Sequence, residues 1–151
     1  MQLTKFTDLG LRVLMYVSQD SHTRPITINE IATQLNVQRN HLIKVVTFLN
    51  KTSWIQTTRG PGGGLRLGTD PDTLTLGHVI RVLENKESLM NCQEPLCPLS
   101  GQCGLKKALD LGLNAFYEHM DKYTLSDVVR NQTGLAIIGF QQNHLAGMTL
   151  N

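Results

Sequence analysis

A mainly α fold with a single two-stranded hairpin is what this sequence predicts, and three observations carry the prediction. Apolar residues recur at helical spacing through most of the chain. Cap-forming threonines, Thr27, Thr75 and Thr124, stand immediately before apolar runs. The one stretch of β character, Trp54 to Thr58, is followed by the break Gly60-Pro61-Gly62-Gly63-Gly64 and the alternating Leu65-Arg66-Leu67.

The elements follow in order. Leu11, Leu14, Met15 and Val17 predict a first helix over 8–19, with Thr7 or Asp8 as its N-cap. Asp20 to Pro25 is polar and turn-like. Thr27-x-x-Glu30 has the spacing of a capping box and starts a second helix. Leu42, Val45, Val46 and Leu49 define a third over 39–51. After the hairpin, Asp70-Pro71-Asp72 is a turn, and Thr75 caps a helix with Leu76, Val79, Ile80 and Leu83 on one face. Pro95, Pro98, Gly101 and Gly104 make 88–104 a loop. A long helix over 105–121 carries the stripe Leu105, Leu109, Gly112 or Leu113, Phe116 and Met120. Thr124-x-x-Asp127 caps a short helix, and beyond Gln132 the pattern fades, so a poorly ordered tail is expected, with Leu135 to Phe140 packing locally. The chain thus divides into a head (1–87), a loop (88–104), a helical segment (105–131) and a tail (132–151).

The second and third helices meet the steric demands of a helix-turn-helix. In a window beginning at Ile28, the fifth residue is Ala32, small enough for two helices to cross closely. Ile31, Leu35 and Val37 fill core positions, and Asn36 stands at the turn, where a left-handed backbone is required. Gln38, Arg39, Asn40, His41 and Lys44 then remain exposed near the start of the third helix, and these types suit base edges and phosphates. The hairpin reads as a wing, with Arg59 and Arg66 flanking glycines, Gly62 and Gly63 among them, that allow close approach to a groove. The fold class is therefore mainly α: a winged helix-turn-helix with a two-stranded wing, plus a long helix after the cysteine loop. The plainer alternative is an αα-hairpin with a solvated polar face. A nucleotide-binding loop is disfavoured, because the glycine run lacks the Gly-Lys-Ser/Thr ending.

Composition and charge agree with a nucleic-acid-binding head. With 151 residues, 40% hydrophobic and 17% charged, the chain reads as an ordinary globular protein. Residues 1–68 hold eight Lys/Arg against three Asp/Glu, and residues 69–151 hold six against nine, so a basic half adjoins an acidic one. The apolar run Leu9 to Val17 is too short to span a membrane and contains Arg12. No signal-peptide pattern opens the chain, so the expected location is cytoplasmic. No Ser/His/Asp or paired-carboxylate constellation supports an enzyme, and the five histidines are scattered.

All three cysteines fall in one segment, Cys92-x4-Cys97-x5-Cys103. An odd count argues against a secreted disulfide framework, and clustered thiols in a reducing compartment serve metal or redox chemistry more often. A turn-rich loop of thiolates suits an iron–sulfur cluster. Zinc more often uses paired short spacings and four N/S ligands, and neither a second pair nor a nearby histidine is present. A thiol switch and three inert cysteines complete the alternatives.

Taken together these residues resemble the Rrf2 family of winged-helix regulators. The resemblance covers about residues 1–130. It is carried by Met1-Gln2-Leu3-Thr4-x-Phe6-Thr7-Asp8, Arg39-Asn40-His41-Leu42-Ile43-Lys44, Arg59-Gly60-x-Gly62-Gly63-Gly64-Leu65-Arg66-Leu67, Asn91-Cys92 with the rest of the cysteine loop, and Tyr123-Thr124-Leu125-Ser126-Asp127. Within the family it most resembles the nitric-oxide-sensitive repressors. A sister branch has a ligating histidine three residues after its third cysteine, where this chain has Lys106. The resemblance implies a homodimer that packs through the long helix, palindromic operator DNA as partner, and nitric oxide as signal. It implies an iron–sulfur cluster on Cys92, Cys97 and Cys103, of the 4Fe-4S type or otherwise 2Fe-2S. The implied fourth ligand is Asp8, donated by the other subunit.

Overall fold

The computed structural model describes residues 2–19 and 24–148. Seven helices and one hairpin are present among them: α1 Lys5–Ser18, α2 Ile28–Gln34, α3 Arg39–Lys51, β1 Ile55–Thr58, β2 Gly64–Leu67, α4 Leu76–Glu84, α5 Gly104–Met120, α6 Leu125–Val129 and α7 Gln132–Met148. The fold is the mainly α winged helix-turn-helix that the sequence predicts. The polar turn expected after α1 falls largely on residues 20–23, outside the described residues.

The core gathers around α1. Val13, Leu14 and Val17 are fully buried and meet Ile31, Leu42, Val45 and Leu49 of the helix-turn-helix, with Ile55 and Leu65 of the wing. Burial of one such side chain stabilises by about 1.5–3 kcal/mol. A second, smaller cluster of Ile80, Leu113 and Tyr117 joins α4 to α5. At this crossing Gly77 lies against the Tyr117 carbonyl and the Asp121 carboxylate, so a Cβ at 77 would have no room. The Arg81 guanidinium pairs with Asp121 at 2.6 Å and lies 4.9 Å from the Tyr117 ring centroid, closing the same contact from its far side.

Three local readings are corrected. The N-cap of α1 is Thr4, whose side chain accepts the Thr7 N–H, whereas Thr7 is buried and Asp8 lies in the first turn. Thr27 caps α2 by accepting the Glu30 N–H, but the Glu30 carboxylate does not return to the cap. It turns inward, fully buried, to receive Arg24 at 2.6 and 2.9 Å and the Tyr16 hydroxyl at 2.9 Å. Burial pushes that carboxyl up, yet the Arg24 and Tyr16 hydrogen bonds outweigh it and leave it below the usual range. The expected tail is instead helix α7 through Met148, with residues 149–151 outside the described residues. Ile137 and Gln141 are buried on its inner face, and Gln141 donates to the Tyr16 carbonyl at 3.1 Å. Among the described residues no helix is long and apolar enough to cross a membrane.

Candidate nucleic-acid interface and cysteine loop

Helix α3 begins at Arg39 because Asn36 turns the chain with φ 50° and Val37 and Leu35 anchor either side of the turn. Leu42, Val45, Val46 and Leu49 face the core, which leaves Gln38, Arg39, Asn40, His41 and Lys44 exposed along one end of the helix. The wing lies beside them. Its strands pair antiparallel from Ile55 opposite Leu67 to Thr58 opposite Gly64. At its tip the Gly63 N–H donates to the Gly60 carbonyl at 2.9 Å, with Pro61 and Gly62 (φ 77°) at the corners, the arrangement of a type II turn. Arg59 and Gly62 are exposed at this tip, Gly63 is half-buried, and Arg66 is half-buried further down β2. All nine sequence-predicted DNA-reading positions therefore sit on α3, its cap or the wing.

Two polar residues that the sequence reading passed over organise this face. Asn29 of α2 accepts the Arg39 Nε–H at 2.7 Å, which orients the guanidinium and leaves its outer nitrogens for other acceptors. Asn50 accepts the Thr57 hydroxyl at 3.2 Å and ties the wing to α3. Asn29, Arg39, Thr47, Asn50, Arg59 and Gly63 line the groove between helix and wing. Signals for both were present as polar residues on exposed positions, but no spacing rule names their partners.

The cysteine loop lies between α4 and α5. Its turns are held by Cys97 N–H to the Cys92 carbonyl at 3.0 Å and Ser100 N–H to the Cys97 carbonyl at 2.9 Å, while Asn91 Oδ1 accepts the Gln93 N–H at 2.9 Å. All three cysteines are free thiols, Cys92 buried and the other two half-buried. Cys103 is the N-cap of α5, its Sγ accepting the Lys106 N–H at 3.4 Å, and an anionic ligand at a helix N-terminus is favoured by the helix dipole. Among the described residues no three His, Cys, Asp or Glu side chains converge on one metal position. The donor set nevertheless fits an iron–sulfur centre in kind: three soft sulfurs on a short turn-rich loop. Asp8 is not among these side chains within the protomer. Its carboxylate pairs with Arg12 at 2.8 Å, both of them about half exposed.

Within the head, α1 is joined to α4 by Glu84, the last residue of α4. Its side chain accepts the Thr4 N–H at 2.7 Å and the Thr4 hydroxyl at 2.9 Å. Burial pushes the Glu84 carboxyl up, but hydrogen bonds from Thr7 and Thr4 hold it below the ordinary carboxylate range. The first turn of α1, which carries Asp8, is thereby fixed to the helix that leads into the cysteine loop.

A family of iron-dependent transcriptional regulators, Rrf2, matches residues 3–131. Transcriptional regulators of the helix-turn-helix type named NsrR from Bacillus licheniformis and Bacillus subtilis are each 38% identical over 135 residues, covering 87% of this chain and 94% and 92% of theirs. Among solved structures, the global cysteine regulator CymR of B. subtilis superposes with a TM-score of 0.69 at 26% identity, covering 85% of this chain and 95% of its own. An IscR from T. potens shares the fold, with a TM-score of 0.66 at 19% identity over 86% of this chain and 87% of its own.

Proposed function

This chain belongs to the Rrf2 family of transcriptional regulators, and on that premise we propose that it is an NsrR-like, nitric-oxide-sensing repressor that binds palindromic operator DNA as a homodimer in the cytoplasm. The observation that carries the sensing half is a loop of three free thiols whose last member caps the helix packed on the head. Cys92, Cys97 and Cys103 would hold an iron–sulfur cluster, of the 4Fe-4S type that the sequence resemblance implies. When bound, such a cluster supplies iron that reacts with nitric oxide.

The chain's own residues do the rest. Gln38, Arg39, Asn40, His41 and Lys44 face the major groove, while Arg59 and Arg66 with the Gly62–Gly63 tip approach the flanking backbone. The exposed stripe of α5, with Leu105, Leu111 and the small Ala108, Gly112 and Ala115, supports a second copy packed there, since a lone helix rarely leaves such a stripe in water. Asp8, now paired with Arg12, would supply the one non-thiolate donor, from across the dimer. The first turn of α1, which carries it, is tied to α4 through Thr4 and Glu84, so a change in what Asp8 holds would be felt at both helices of the reading head. A ligand shifts an equilibrium only through differential affinity. About 2–3 kcal/mol between the two states, roughly 30- to 150-fold in operator affinity, suffices for a strong response.

A colourless redox thiol switch is the second reading, favoured by the placement of Cys103 at a helix N-terminus. The visible spectrum of protein purified without oxygen separates the two. A broad band near ~400 nm that changes on adding nitric oxide supports the cluster reading. A colourless protein that binds operator and responds to peroxide overturns it.

A further inference from the structure

Resting on the cluster reading and deepening it, we infer that Ser88, Lys106 and Asp110 form a clamp that joins the two ends of the cysteine loop and positions Cys92 and Cys103 before any ligand is bound.

Ser88 stands four residues before Cys92, and Lys106 three after Cys103. The Ser88 hydroxyl has two acceptors for its one proton, Asp110 Oδ1 at 2.7 Å and the more distant Met90 carbonyl at 3.2 Å, and it accepts from Lys106 Nζ at 3.1 Å and from the Met90 N–H at 3.3 Å. A hydroxyl has one proton and two lone pairs, so this one is saturated. Lys106 Nζ also pairs with Asp110 one turn along α5. The same Lys106 donates its backbone N–H to Cys103 Sγ. One residue therefore holds the last sulfur of the loop through its main chain and the first stretch of the loop through its side chain.

Little else fixes that first stretch. It lies in neither helix nor strand, and Leu89 and Met90 are 41% and 36% exposed, so apolar burial contributes little. The clamp groups are only 33% and 28% exposed at Lys106 and Asp110, and charge-assisted bonds in partial shelter are firmer than an open surface pair. A loop closed in advance loses less conformational freedom when it takes a ligand. In the clamped arrangement Cys92 is buried, which supplies a readout independent of any cluster.

The test uses the full-length protein stripped of iron, in Ser88→Ala and Lys106→Met forms, with Ser88→Thr as the conservative partner. The rates at which a small alkylating reagent modifies Cys92 and Cys97 are read by peptide mass spectrometry. Cys92 is expected to react several-fold faster relative to Cys97 in the first two variants and near the parental rate in Ser88→Thr. In iron-loaded protein the visible band is expected to fade several-fold faster under EDTA in the same two variants. A Cys92 rate unchanged in both variants overturns the clamp. If Cys92 accelerates while the parent protein never acquires colour, the clamp stands and the cluster reading falls. If the parent is coloured and both rates are unchanged, the clamp falls and the cluster reading stands.

Discussion

Replacing Arg24 with alanine tests how the helix-turn-helix is held on α1. The Glu30 side chain is fully buried, and Arg24, 27% exposed, supplies two of its hydrogen bonds, with Tyr16 supplying the third. Removing one partner of a buried pair costs about 3–5 kcal/mol because the other charge is stranded. Here the Tyr16 bond persists and water can enter where the guanidinium stood, so the low end applies, about 3 kcal/mol. At this chain size about 1 kcal/mol moves the melting temperature by 2–4 °C, so the midpoint should fall by about 6–12 °C at neutral pH. The pH dependence supplies the discriminating result. In the parent, the Glu30 carboxyl is lowered, so its contribution is present above the ordinary carboxyl pKa and is lost as pH falls through the folded value. In the variant, burial without the guanidinium raises that carboxyl, so the variant gains relative stability as pH falls and the proton binds. The gap between parent and variant must therefore narrow on acidification, and Glu30→Gln in the variant background should recover part of the loss. Urea unfolding followed by circular dichroism at pH 7.5 and pH 5 measures both. A loss under about 1 kcal/mol at neutral pH, or a gap that widens in acid, refutes the reasoning.

Other expectations bear on the site. Cys97→Ser should lose the visible band and operator affinity together, and tight operator binding by the colourless variant would remove the cluster from the mechanism. Asp8→Ala should change the spectrum or lifetime of the bound cluster while leaving the unfolding midpoint nearly unmoved, because an exposed pair with Arg12 contributes about 0.5 kcal/mol or less; an unaltered cluster excludes Asp8 as a ligand. Arg39→Ala should weaken specific binding by about 1–3 kcal/mol and leave non-specific binding less affected, with Asn29→Ala showing a smaller loss in the same direction, both read by fluorescence anisotropy against operator and scrambled duplexes. Gly77→Ala should destabilise by about 1–3 kcal/mol in thermal unfolding, since its Cβ would overlap the Tyr117 carbonyl and Asp121 and force α4 off α5.

What was legible in the sequence was local. The bounds of α3, the left-handed Asn36, the glycine turn of the wing, the Thr75 cap and the Thr124–Asp127 capping box each depend on residues within a few positions of one another. The identity of the exposed side chains on α3 followed as well, because helical spacing assigns the inward positions and leaves the others out. The three cysteines declared themselves by proximity alone. The resemblance to a family rested on these same short-range pieces.

What only the tertiary structure decided involves partners far apart in the chain. Thr4, Thr7 and Asp8 are all capping types. Thr4 is the cap, and it is also the residue whose N–H and hydroxyl are met by Glu84, 80 positions away. Glu30 has the spacing of a capping box, yet a buried carboxylate with a guanidinium and a phenol within reach makes stronger bonds there than at a solvated helix end. Helix α7 left no amphipathic trace because its apolar residues run all round it, and its inner face is chosen by contact with α2 and α6. Gly77 reads as an isolated weak point in a helix until α5 is seen to cross there. Local backbone preference is written in neighbouring residues. The choice among several adequate hydrogen-bond partners is made by whichever distant group the packed core brings closest.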